Sequence, residues 1–109
     1  MITVTFHKTK AGEYQDIICF GHAGFDDYGK DIVCASVSVL VINTINSLEE
    51  ITKEKIVVDT DEKKGLITCK FPEPLQDTSK VLIDSLVLGL THIAKQYGQK
   101  YCKLEFKEV

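Results

Sequence analysis

Between Asp31 and about Lys53 the chain places apolar residues at helical spacing. The stripe consists of Val33, Val37, Val41, Ile45 and Leu48. Some of these side chains are β-branched and would also suit a strand, but about 20 residues is too long for a single strand. Asp31 is suited to cap the helix, because its carboxylate can accept bonds from the unpaired amides of the first turn. The segment therefore predicts a long helix that the fold must bury.

The predicted helix is apolar on more than one side, since Ile32, Val39 and Ile42 fall outside the main stripe. Such a helix is either central in a core or shared with a second subunit. The apolar stretch from Ile32 to Ile42 is too short to span a bilayer. The first residues alternate in polarity and do not form the apolar run of a signal peptide. A soluble, cytoplasmic protein without membrane contact is expected.

Five shorter segments have the alternation and the composition typical of strands. They cover residues 2–8, Tyr14–Gly21, Lys55–Asp59, Leu66–Phe71 and Tyr101–Lys107. A second helix is predicted from about Asp77 to Tyr97, where Gly89 indicates a close crossing with the first helix and Gly98 suits a left-handed helix end. The order ββαββαβ predicts an α+β fold, a two-layer sandwich with a mostly antiparallel sheet and two helices. One domain is expected over residues 1–109.

Composition limits the partners and the redox chemistry. The chain has 13 Lys and Arg against 16 Asp and Glu, a net charge of −3. No run of basic residues forms a stripe that would favour nucleic acid. The four cysteines are scattered without a C-x-x-C pair, which argues against a zinc knuckle or a dithiol centre. Reduced thiols are expected in the absence of a secretion signal.

Cys34 differs from the other cysteines in its predicted position. If Asp31 caps the helix, Cys34 lies in the first turn, where free N–H groups and the helix dipole lower a thiol pKa. Asp31 is an anion in the same turn and would partly oppose that shift. His22 ends the second strand, and the loop that follows is long enough to bring its imidazole to the Cys34 sulfur. On pattern alone, a reactive Cys–His pair and an ordinary buried thiol both stay open.

The stretch from Gly21 to Ser38 reads GHAGFDDYGKDIVCASVS. Its G-H-A, followed after a short loop by G-x-D-I-V-C-A-x-x-S, resembles the signature of the bacterial ribosomal-processing cysteine protease family, called Prp. The similarity extends over the whole chain in length and element order. The resemblance implies a cysteine endopeptidase in which Cys34 is the nucleophile and His22 its general base. It implies no cofactor and no metal.

The resemblance also implies a substrate and an assembly. Members of the family remove a short N-terminal extension from the large-subunit ribosomal protein L twenty-seven, and they cut after a pair of aromatic residues. They form homodimers, so the expected partners are the ribosomal protein precursor and a second copy of the chain, with no direct nucleic acid. Two alternatives stay open: a non-catalytic ribosome-associated peptide-binding protein, and a dimerisation domain with a buried thiol.

Further residues of the stretch have possible supporting roles. Asp31 either orients His22 or only caps the helix, and Ser38 could hydrogen-bond near the site. Helix-start amides, including the Cys34 N–H, are candidates for binding the oxyanion. Phe25 and Tyr28 could contact a substrate or pack locally. The candidates for the loop that receives the peptide are Gly21, Phe25, Tyr28 and Gly29.

Overall fold

The computed structural model describes residues 1–27 and 31–109 of the chain. The elements in these ranges follow the order ββαββαβ, which confirms the predicted α+β architecture. The strands are β1 (Ile2–Lys8), β2 (Tyr14–Phe20), β3 (Val57–Asp61), β4 (Leu66–Lys70) and β5 (Cys102–Glu108). The helices are α1 (Ile32–Glu50) and α2 (Asp77–Tyr97).

The strands form one sheet in the order β3-β4-β2-β1-β5. Neighbouring strands run antiparallel except β1 and β5, which are parallel. The predicted hairpin of β1 and β2 is confirmed, and β2 also pairs with β4, so that Cys19 lies opposite Ile67. This second pairing joins the part of the chain before α1 to the hairpin that follows it.

The core lies between the sheet and the two helices. The predicted stripe of α1 is confirmed, since Val33, Val37, Val41, Ile45 and Leu48 are all buried. The predicted close crossing of the helices is confirmed as well. A Cβ atom at Gly89 would lie only 2.9 Å from Cδ1 of Leu40, so the α1 side chain occupies the space that the glycine leaves. Gly98 ends α2 with the predicted positive φ, 100°, but its ψ of 153° lies outside the left-handed helical region.

α1 and several strands begin or end at residues other than the predicted ones. α1 ends at Glu50, before the predicted Lys53, because Lys53 has a φ of 57° that a right-handed helix does not allow. β3 runs over Val57–Asp61, further along the chain than Lys55–Asp59. Four of its five residues are exposed, so no alternation marks its position in the sequence. β1 has the predicted ends, and the ends of β2, β4 and β5 differ from the predicted ones by at most one position.

α1 is long and apolar enough, by length and composition alone, to cross a membrane. The prediction concerned only the stretch from Ile32 to Ile42, which is shorter than this helix. A core helix passes the same test, and the buried stripe of α1 lies in the core of this domain. The second apolar side is present, with exposed fractions of 51% for Ile32, 65% for Val39 and 47% for Ile42.

Candidate active site

Asp31 connects the loop after β2 to the start of α1. One carboxylate oxygen, Oδ1, accepts the N–H groups of Val33 at 3.0 Å and Cys34 at 2.9 Å. The other, Oδ2, accepts the N–H of Phe25 at 2.9 Å. Burial acts to raise the pKa of Asp31, but bonds from backbone N–H groups outweigh it, and the pKa is lowered. The buried carboxylate is therefore a charged N-cap at neutral pH, as the sequence predicted.

Cys34 lies half-buried in the first turn of α1, and its sulfur accepts the N–H of Ala23 at 3.1 Å. Burial is the largest influence on the thiol and raises its pKa. The Ala23 N–H lowers the pKa, whereas the negative charge of Asp31 and its hydrogen bond raise it further. The net pKa is raised, so the prediction that the helix start would lower it was wrong. The resting thiol is protonated at neutral pH.

The N–H of Cys34 also differs from its predicted use. It was a candidate for binding an oxyanion, but in this structure it donates to Asp31. The next amide, that of Ala35, donates to the Asp31 carbonyl at 3.0 Å. The cap thus occupies the N–H groups of Val33 and Cys34, while the Ala23 N–H donates to the Cys34 sulfur.

His22 is the second residue after the end of β2, and its side chain is exposed. The preceding residue, Gly21, has a φ of 99° and donates its N–H to the carbonyl of Gly65 at 3.1 Å. A Cβ atom at Gly65 would lie 3.1 Å from Cε1 of the His22 ring, so the imidazole lies against the turn between β3 and β4. The position of His22 therefore depends on the sheet and on this turn.

One open cleft of about 820 Å³ brings the predicted residues together. Gly21, His22, Asp31, Cys34 and Ser38 all line it. Its other wall, which sequence reasoning missed, comes from the hairpin of β3 and β4, with Thr60, Asp61, Glu62, Gly65, Leu66 and Ile67. These residues are far from the His and Cys in sequence, and only the pairing of β2 with β4 brings them near.

The remaining loop candidates have other positions. Phe25 packs edge-on against Tyr97 at 5.4 Å and Tyr101 at 5.1 Å between ring centroids, so it has local aromatic partners. Tyr28 and Gly29 lie outside the described residues. The Phe25 contacts join the loop to the end of α2 and to the start of the segment that leads into β5.

The other cysteines and histidines have structural surroundings. Cys19, Cys69 and Cys102 are buried and free. Burial raises the pKa of Cys19 and of Cys69 to about 12, which keeps both thiols protonated. His7 bonds to Asp16 across the β1–β2 pair, and His92 is exposed on α2. Within residues 1–27 and 31–109, no group of three or more His, Cys, Asp or Glu side chains is placed to hold a metal ion.

The arrangement has the parts that a thiol-dependent hydrolase needs. A thiol, an imidazole and a structural carboxylate line one cleft that is open to a peptide. On a small α+β domain, this site defines the class of cysteine peptidases. The family model described as "Cysteine protease Prp" matches residues 1–103, and the chain belongs to that family. It is therefore a cysteine protease.

Curated relatives cover nearly the whole chain. The Ribosomal processing cysteine protease Prp of Staphylococcus aureus is 27% identical over 107 residues, 98% of this chain and 100% of the relative. The protein of the same name from Bacillus subtilis is 30% identical over 101 residues, 89% of this chain and 90% of the relative.

Solved structures share the fold. The S. aureus protease with a covalently linked product peptide has a TM-score of 0.91 at 27% identity, covering 98% of this chain and 100% of that one. The same protease with a substrate peptide has a TM-score of 0.86 at 26% identity, with the same coverage. SMU.848 from Streptococcus mutans has a TM-score of 0.85 at 28% identity, covering 100% of this chain and 96% of that one.

Proposed function

We propose that this protease removes the N-terminal extension of the large-subunit ribosomal protein L twenty-seven in the cytoplasm, cutting after a pair of aromatic residues. The observation that best supports this proposal is that His22 and Cys34 line one cleft large enough for a peptide. The names of the relatives support the ribosomal role, since both are ribosomal processing proteases. A solved relative of the same fold holds a substrate peptide.

In the first half of the reaction, the imidazole of His22 accepts the proton of the Cys34 thiol as the sulfur attacks the peptide carbonyl. A C–S bond forms, and the carbonyl π electrons move to the oxygen. The raised thiol pKa requires this transfer, because little thiolate is present beforehand at neutral pH. The Ala23 N–H stabilises the negative charge that develops on the sulfur, since it already donates to that atom.

Collapse of the tetrahedral intermediate breaks the C–N bond, and His22 gives its proton to the leaving amine. An acyl-enzyme on Cys34 remains, with the N-terminal fragment of the substrate attached. Water then attacks the acyl carbon while His22 accepts one of its protons. The C–S bond breaks, the proton returns to the sulfur, and a carboxylic acid leaves.

Asp31 and Ser38 act in support. Asp31 holds the first turn of α1 and the loop around Phe25 in one arrangement, through bonds to both segments. Its contacts favour the role of a cap over that of a third catalytic residue. Ser38 lies one turn after Cys34 on the cleft wall, where its hydroxyl can bond to the peptide backbone.

The loop from Gly21 to Gly29 is proposed to receive the peptide, as the candidates Gly21, Phe25, Tyr28 and Gly29 indicate. Gly21 has direct support, because it lines the cleft beside His22. For Phe25, the packing on Tyr97 and Tyr101 supports a role in holding the loop rather than in contacting the peptide.

The active form is proposed to be a homodimer that pairs through the exposed apolar side of α1. Val39, 65% exposed, lies at the centre of this side between Ile32 and Ile42. Val39→Asp should convert the dimer to a monomer in light scattering. The control is Val81→Asp on α2, where the side chain is also 65% exposed. Equal dissociation by both substitutions, or by neither, would contradict this interface.

The test of the function is a cleavage assay with a peptide that spans the predicted junction, followed by mass spectrometry. The wild-type protein should make one cut after the aromatic pair. Cys34→Ala should abolish it, and His22→Ala should slow it by about 10²–10⁴-fold, the usual contribution of a general base. His92→Ala, an exposed histidine on α2, should retain the wild-type rate. Full cleavage by the Cys34 variant would refute the proposed nucleophile.

The alternative of binding the same peptide without cutting it is disfavoured, because the chain belongs to a family of cysteine proteases. The cleavage assay also tests this alternative, because a binding protein would return the peptide intact while holding it in equilibrium dialysis.

A further inference from the structure

Two glycines face each other where the pairing of β2 and β4 ends. The register of this pair sets Cys19 opposite Ile67, and its continuation places Gly21 opposite Gly65. The Gly21 N–H donates to the Gly65 carbonyl at 3.1 Å. Both residues have positive φ, 99° for Gly21 and 61° for Gly65. The ladder thus extends to the residue before His22 and then turns sharply away.

Gly65 is in contact with both the backbone and the side chain that follow β2. A Cβ atom on Gly65 would lie 2.5 Å from the carbonyl oxygen of Gly21 and 3.1 Å from Cε1 of His22. The first distance is shorter than a Cβ atom tolerates, and a backbone carbonyl moves only if its peptide moves. Because that peptide leads into His22, any side chain at Gly65 displaces the imidazole as well.

Gly21 is also enclosed on the side away from Gly65, so its peptide group has little room to move. A Cβ atom at Gly21 would lie 2.5 Å from the carbonyl oxygen of Met1. The turn that carries Gly65 is itself closed by the Gly65 N–H, which donates to the Glu62 carbonyl at 3.2 Å. The backbone before His22 is therefore held between the start of β1 and the turn between β3 and β4.

We propose that Gly65 is a positioning residue for His22, since it fixes the Gly21 peptide and supports the imidazole ring in the cleft that Cys34 also lines. Gly65 does not touch the reacting atoms and acts only through His22. The inference rests on the proposed function where it predicts an effect on the rate of cleavage. The contact between Gly65 and the imidazole ring does not depend on any substrate.

The contact is tested first on the unmodified protein by NMR. The chain has three histidines, so three ring Cε1–H signals are expected, and the one that disappears in His22→Ala belongs to His22. A nuclear Overhauser effect between this proton and the Gly65 α protons is expected. Its absence would overturn the proposal without any need for a substituted turn.

The variant Gly65→Ala is compared with Gly12→Ala. Gly12 also has a positive φ, 84°, but a Cβ atom there meets nothing within 4 Å. Both substitutions therefore carry the backbone penalty of a left-handed residue, and only Gly65→Ala presses on the Gly21 peptide. The His22 ring signal should shift in Gly65→Ala and stay in place in Gly12→Ala. A ring signal that is unmoved in Gly65→Ala would overturn the proposal.

In the cleavage assay, Gly65→Ala should lower kcat by about 100-fold, the effect of a catalytic group displaced by about 1 Å. KM should change much less. In the His22→Ala background, measured at alkaline pH where the thiol ionises without a base, Gly65→Ala should cause no further loss. An equal loss in both backgrounds would show a purely structural role. If the wild-type protein does not cut the peptide, the proposed function fails, and the NMR results still decide the role of Gly65.

Discussion

Asp31 has opposite effects on the stability of the site and on the reactivity of its thiol, and a single substitution separates them. In Asp31→Asn, the amide oxygen can still accept the N–H groups of Val33 and Cys34, because Asn caps helices as well as Asp does. The negative charge that helps to raise the pKa of Cys34 is lost. The thiol pKa should therefore fall, and alkylation of Cys34 at neutral pH should become faster.

The stability cost follows from the three N–H groups that the carboxylate accepts. Loss of an N-cap side chain costs about 0.5–2 kcal/mol. The bond from Phe25 to a charged acceptor contributes about 1.5–3 kcal/mol, part of which water replaces because Phe25 is exposed. For Asp31→Ala we expect the free energy of unfolding to fall by about 2–3 kcal/mol, which lowers Tm by roughly 10–15 °C in a domain of this size. For Asp31→Asn the free energy of unfolding should fall by about 1 kcal/mol.

The lowered pKa of Asp31 also fixes a pH dependence. Its charged form is favoured in the folded state, so the stabilisation is fully present above the unfolded pKa of about 3.9. It is lost as pH falls through the folded pKa. The difference in Tm between the wild-type protein and Asp31→Asn should therefore shrink on acidification below about pH 4.

The assay is alkylation by iodoacetamide from about pH 6 to pH 10, with the Cys34 peptide quantified by mass spectrometry. Asp77→Asn is the control, because it removes an acidic side chain from the first turn of the other helix. The reasoning is refuted if Asp31→Asn leaves the alkylation profile of Cys34 unchanged or moves it to higher pH. A Tm for Asp31→Ala within about 2 °C of the wild type would refute the capping contribution.

Three further substitutions or labels test other parts of the structure. Glu54 accepts the N–H of Gln76 at 2.9 Å, at the start of a helix whose own N-cap side chain makes no cap bond. Glu54→Gln should cost about 1–2 kcal/mol in thermal melts. Burial acts to raise the pKa of Glu54, but its hydrogen bonds lower it, so this cost should disappear on acidification. Gly89→Leu should lower the free energy of unfolding by about 1–3 kcal/mol through overpacking. Adding Leu40→Ala to the same chain should recover part of this loss. Additive losses from the two substitutions would contradict the close crossing. Cys19, with a pKa of about 12, should stay unlabelled at pH 8 by iodoacetamide until the protein unfolds, and early labelling would contradict its burial.

The helices and the fold class could be predicted because their signals are local. The spacing of Val33, Val37 and Val41 reports a buried helical face whatever packs against it. β3 was misplaced because Val57 and Val58 are both exposed on an edge strand, so burial leaves no alternation there. The end of α1 near Glu50 was missed because a polar surface turn and a polar helix end have similar compositions.

The candidate site was predictable where its residues are close in sequence. Asp31 and Cys34 lie within one helical turn, and the loop returns His22 to them. The wall that includes Gly65 was not predictable, because nothing in the turn DEKKG indicates which strand its hairpin will pair with. The thiol pKa was mispredicted for a related reason. The helix start gives a local rule that favours the thiolate, but burial and the Asp31 charge, which depend on the folded site, outweigh that rule.

The two halves of the site are held by different parts of the fold. Cys34 is fixed by the cap of α1, and His22 by the end of the β2–β4 ladder and the turn at Gly65. Neither arrangement sets the distance between sulfur and imidazole, which depends on how α1 packs on the sheet through Val33 and the other buried residues of its stripe. In the proposed mechanism, His22 must lie within hydrogen-bond reach of the Cys34 proton, so shifts of α1 on the sheet should change catalysis even when both local arrangements are intact. The buried face of α1 therefore contributes to the geometry of the reaction as well as to the stability of the domain.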